Sequence, residues 1–163
     1  MSRLLAGVVA GALAGAAGAT ALNAVSYADM ALRGRPAGNS PKATVDAAAD
    51  RAPVDVPGEG DEAGNRAEGL GQLAGLGVGV GLGAVSGVLR AFHVKVPKVL
   101  APFALGLGAM ALSDTVMTAL HVTEPRSWDA ATVAADAVPH IAYGLVATAA
   151  LHRLLDPRTP HAS

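Results

Sequence analysis

Four stretches of this chain are apolar almost without interruption: Leu4 to Val25, Leu70 to Leu89, Val99 to Leu120 and Ala130 to Leu151. A helix needs about 20 residues, at 1.5 Å each, to cross the hydrocarbon core of a bilayer. Each stretch reaches that length and is fenced by polar or titratable groups. Arg3 precedes the first, Glu68 and Arg90 flank the second, Lys98 and His121 the third, and Asp129 and Arg153 the fourth. The pattern predicts an all-α fold, a four-span transmembrane bundle. The first stretch reads as a span rather than a signal peptide, because its run exceeds the usual h-region and helical spacing continues through Tyr27 and Met30 to Arg33.

The connections at Phe92 to Pro97 and Val122 to Trp128 are short, which predicts antiparallel, up-and-down neighbours with both termini on one side. The longer segment from Arg33 to Ala67 is polar and broken by Pro36, Pro41, Pro53 and Pro57. Ser40 before Pro41 fits an N-cap and first helical position, predicting a short helix from Pro41 to about Ala52, stopped by Pro53. Val54 to Asn65 reads as a loop. The organisation is one membrane domain: residues 1–33 form the first helix and its extension, 34–67 a polar loop with a short helix, and 68–163 the other three spans and a short tail.

Orientation follows weakly from charge. Lys and Arg divide evenly, with Arg3, Arg90, Lys95, Lys98, Arg153 and Arg158 on the terminal side and Arg33, Arg35, Lys42, Arg51, Arg66 and Arg126 opposite. The acidic residues gather almost entirely on the opposite side, and the reading adopted is termini in the cytoplasm.

Composition sharpens this picture. Only 15% of the 163 residues are charged, against about 25% in average soluble domains, and aromatic residues make up 3%. Packing must therefore rest on Ala, Gly, Val and Leu. A net charge of −1 gives no basic footprint for nucleic acid, and the absence of cysteine excludes disulfides, thiolate metal sites and thiol nucleophiles.

Glycine is placed periodically. Gly71, Gly75, Gly79, Gly83 and Gly87 repeat every four residues in the second span, and Gly7, Gly11 and Gly15 do so in the first. Helices in lipid gain little from hydrophobicity, so close backbone approach does the packing. The repeats predict a glycine zipper between the first two spans. Gly69, Gly77 and Gly81 lie on a neighbouring face that could serve self-association.

Charge inside a span is costly, about 2.5 to 3.5 kcal/mol per group at mid-bilayer on insertion scales. Asp114 and Asp136 are the two clear cases. Helical spacing extends them into stripes: Asp114, Thr118 and His121 in the third span, and Thr132, Asp136, His140 and Tyr143 in the fourth. Thr20, Asn23 and Tyr27 in the first span and Gln72 in the second approach the same leaflet. The predicted polar cluster is thus Asp114, Asp136, His140, Tyr143, Asn23, Tyr27, Thr118 and Gln72. Its plainest role is to fix helix packing. A carboxylate beside an imidazole in low dielectric also fits proton or cation handling. Metal ligation by Asp114, His121, Asp136 and His140 rests on a common spacing, and no metal or cofactor is assigned. Asp29 with Arg33 reads as an interfacial ion pair, Trp128 as an interfacial anchor, and Pro139 as a place for a kink.

Signatures of membrane enzymes are absent, including His-Glu-x-x-His, Gly-x-Gly-Asp and Gly-x-Ser-x-Gly, so no catalytic residue is assigned and the chain is read as not an enzyme. The run from Asp136 through Pro139-His140 to Tyr143-Gly144, with Ala31 to Pro36 after the first span, resembles small uncharacterised four-helix membrane proteins of high-GC bacteria. The resemblance implies a bacterial inner-membrane protein and brings no activity or substrate with it. The expected function is that of a non-enzymatic structural or accessory membrane component, with lipid and a membrane-protein or self partner. A proton- or cation-coupled transport element is the alternative.

Overall fold

The computed structural model describes residues 2–52, 54–94 and 96–156. They form helices α1 (Arg3–Arg33), α2 (Ser40–Arg51), α3 (Asp61–Ala91), α4 (Ala101–Ala119) and α5 (Ala130–Leu155), with a single 3-10 turn at Pro125–Ser127. Among the described residues there is no strand.

Three helices, α1, α3 and α5, are long and apolar enough to cross a membrane. The expected third span is helical as α4 but is not one of these three. Its 19 residues include the polar run Ser113-Asp114-Thr115, which interrupts its apolar character.

Two other boundaries differ from expectation. The loop expected over Val54 to Asn65 ends early, because α3 begins at Asp61, with Asp61 and Glu62 in its first turn where the helix dipole favours acidic groups. Helix α2 starts at Ser40 itself, with Asn39 at the cap position making no side-chain cap bond. The stop expected at Pro53, and Lys95 and Arg158 of the charge tally, lie outside the described residues.

Helix α1 sits at the centre, packed on one flank by α3 and on the other by α5. Helix α4 packs on α5, α2 lies along α3, and α3 and α4 scarcely touch. Two small-residue stripes of α1 explain its position. Gly7, Gly11 and Gly15 meet the backbones of Gly87, Gly83 and Gly79 in descending order, so α1 and α3 run antiparallel. Ala19 extends that stripe and touches Gly79. The second stripe, Ala10, Ala14 and Gly18, faces α5, where Leu151 packs on the two alanines and Tyr143 and Ala147 crowd Gly18.

The fold is inverted relative to a water-soluble domain. Among the described residues the buried apolar side chains are mostly alanine, joined by Pro102, Pro139, Tyr143 and Leu151, while Leu13, Leu73, Val85, Phe103 and Val138 are among the many large side chains left exposed. Such a surface in water would be one continuous apolar patch. Against lipid it is the expected outer face.

Candidate functional site: the α4–α5 carboxylate and imidazole cluster

Helices α4 and α5 meet through glycine. Gly106 lies against the backbone of His140 and Ile141, and Gly144 against Pro102 and Gly106. Neither position tolerates a Cβ without movement of backbone. In this antiparallel register Asp114 lies within about one helical turn, roughly 5 Å of axial rise, of the level of Asp136. Asp114 of α4 and the Asp136–His140 unit of α5 are thus the ionisable groups near one level of this helix pair.

The internal geometry of that unit is specific. The Nδ1 of His140 lies 2.8 Å from the Asp136 carbonyl oxygen and 3.4 Å from the Asp136 Oδ1. A carbonyl can only accept, so the 2.8 Å contact requires the proton on Nδ1. The neutral ring then carries its lone pair on Nε2. One oxygen of each carboxylate, Asp114 Oδ1 and Asp136 Oδ2, is buried without a hydrogen-bond partner.

Several hydroxyls of the helices are satisfied locally. The hydroxyls of Thr20, Ser86 and Thr115 each donate to the carbonyl four residues back, a common way to settle a hydroxyl within a helix. The two aspartates stand apart from that pattern. Helix α5 is continuous through Pro139, which is buried and has no N–H to give the Ala135 carbonyl.

The remaining members of the expected polar cluster lie elsewhere. Tyr143 points to α1 and α3: it is 1% exposed and its phenol donates to the Gly79 carbonyl at 2.7 Å. Asn23, Tyr27, Thr118 and Gln72 are exposed, and Gln72 bonds Glu68 within α3. Spacing along single helices could not show which stripe faces a neighbour. Among the described residues, no three His or carboxylate groups converge as metal ligands would.

The glycines of α3 also divide. Gly79, Gly83 and Gly87 meet α1, Gly71 meets Pro41 of α2 at 2.5 Å from an added Cβ, and Gly75 faces open space. Close-approach glycines absent from the expected set are Gly18, Gly106 and Gly144. Gly18 is three residues from Gly15, off the four-residue repeat, and the other two belong to no glycine series.

The polar face that carries α2 is tied by ion pairs. Asp29 meets Arg33 at 3.6 Å, as its spacing predicts, and meets Arg35 more closely at 2.5 Å. Arg51 of α2 donates to the Ala119 carbonyl at the end of α4 at 2.6 Å. Trp128 donates to the Thr123 hydroxyl at 3.2 Å, closing the α4–α5 connection. Asp129 caps α5, and the hydrogen bonds it accepts from the Thr132 side chain and backbone hold its carboxyl below the usual range.

No family model matches this chain, and no curated protein and no solved structure matches it either.

Proposed function

We propose that this protein is a four-span, multi-pass component of a bacterial inner membrane, non-enzymatic, with α4 as the fourth span and a glycine zipper joining α1 to α3. The observation that carries this reading is the inverted packing, with glycine and alanine inside and leucine, valine and phenylalanine outside. At 19 residues α4 is about 28 Å long, close to the core of a bilayer. Reporter fusions after Val94 and after Glu124 test it. Four spans place the two fusions on opposite sides, whereas fusions on the same side overturn the crossing of α4.

A second reading, a proton- or cation-coupled transport element, is favoured by the unpartnered buried oxygens of Asp114 and Asp136 and by the imidazole of His140 against the Asp136 carboxylate. Intramembrane ionisable groups that keep such unsatisfied atoms are functional candidates. Purified protein in liposomes under a pH gradient separates the two readings. Proton flux lost in Asp136→Asn supports transport, and flux equal to that variant refutes it.

A further inference from the structure

Because α3 and α4 scarcely touch, the helices enclose a cleft of about 1100 Å³ near the ends that carry Arg3 and Asp156. All four long helices contribute to it. Its apolar lining includes Leu82, Val85, Leu105 and Leu151. Its mouth is cationic: Arg3, Arg90 and Lys98 line it, with Asp156 as the acidic member. That carboxylate is occupied by Arg90. Among the described residues Arg3 and Lys98 form no ion pair, so the mouth holds an excess of positive charge. His93 and His152 also line the cleft, the His152 Nδ1–H being donated to the Thr148 carbonyl at 2.8 Å.

We infer that this cleft binds an anionic phospholipid, with an acyl chain between α3 and α4 and the headgroup phosphate against Arg3 and Lys98. The inference rests on the membrane-spanning reading of the helices. Three features of the cleft agree with this occupant. A wall of Leu and Val matches an acyl chain, and the ring of cations sits at one end only, as a headgroup requires. The cations also come from α1, α3 and the α3–α4 connection, so one phosphate would tie the packed α1–α3 pair to the connection that leads into α4, which scarcely touches α3. A basic pocket between membrane helices is a recurring form of headgroup site.

Native mass spectrometry of the full chain, released from detergent with equimolar phosphatidylglycerol and phosphatidylcholine of identical acyl chains, tests this. The wild type should retain phosphatidylglycerol in clear preference. Each cation near an anionic lipid contributes roughly fivefold in affinity. The exposed-site double variant Arg3→Gln/Lys98→Gln should therefore lower retention of phosphatidylglycerol at least tenfold, towards that of phosphatidylcholine. Arg33→Gln/Arg126→Gln, at the opposite ends of the helices, should leave the preference intact. Leu105→Trp, which fills the wall, should displace both lipids. Equal retention of the two lipids by the wild type overturns the proposal, as does an unchanged preference in Arg3→Gln/Lys98→Gln or a lipid-free dimer. A chain that stays soluble without detergent would instead refute the membrane reading beneath it.

Discussion

The phenol of Tyr143 on α5 donates to the backbone carbonyl of Gly79 on α3 at 2.7 Å, reaching past the Gly18 position of α1. One side chain thus joins three helices that the sequence places far apart. Glycine at 18 and 79 leaves the room its ring occupies. Tyr143→Phe keeps the ring and removes the donor. It should destabilise the fold by about 0.5 to 1 kcal/mol, the typical strength of a hydrogen bond between membrane helices. Tyr143→Ala should cost about 3 kcal/mol or more through the cavity. Reversible unfolding in mixed micelles would show the difference between the two.

The two classes of glycine in α3 should respond oppositely to a methyl group. At Gly83 an added Cβ would collide with the backbone of Gly11 and Gly15, whereas at Gly77 nothing lies within 4 Å. Gly83→Ala should cost about 2 kcal/mol or more, since neither backbone can yield. Gly77→Ala should be neutral or stabilising by up to about 1 kcal/mol through helix propensity. Thermal denaturation in detergent distinguishes the pair, and equal effects would contradict the assignment of faces.

Helices α3 and α4 end in the same way. His93 and His121 take positive φ values of 61° and 58°. The amides of Val94 and Val122 then reach back to the carbonyls of Leu89 and Met117. This is the closure that normally recruits glycine. His93→Gly or His121→Gly should therefore raise stability by about 0.5 to 1 kcal/mol, the left-handed conformation being strained for a residue with a Cβ. His121→Val should do the reverse. Melting temperatures of the three variants rank the effect.

Acid should loosen the start of α5 before the bundle. The Asp129 carboxylate is held below its ordinary range by bonds from Thr132, so its folded form favours ionisation. Its contribution is complete above the usual aspartate pKa and is lost as pH falls through the lowered value. Hydrogen exchange at the amides of Thr132 and Val133 should accelerate on acidification through that window. Asp129→Asn, which keeps an acceptor but does not titrate, should flatten the response.

How much of this was legible in the sequence follows from which interactions are local. Apolar length and flanking charge sufficed for α1, α3, α4 and α5 as helices but not for the early start of α3 at Asp61, and Ser40-Pro41 marked α2 while naming Ser40 rather than Asn39 as its cap. The four-residue repeat marked Gly7, Gly11, Gly15, Gly79, Gly83 and Gly87, whose backbones do meet. It could not tell that Gly71 faces α2 and Gly75 faces no one, because period alone does not reveal how long a partner stays beside a helix. Asp136 and His140 share a turn of one helix, so their contact follows from spacing. Which way Tyr143, Asn23 and Gln72 turn depends on the rotation of each helix about its axis. That rotation is set by packing between segments distant in sequence.

The central place of α1 has a consequence for the order of assembly. Spatially the long helices follow the order α3, α1, α5, α4, while synthesis delivers α1 first and α5 last. The nascent α1 must therefore keep its second stripe, Ala10, Ala14 and Gly18, uncommitted while α3 docks and α4 emerges. During that interval the seat of Tyr143 stands vacant. Arrival of α5 fills it, so the helix made after its three long neighbours closes the bundle.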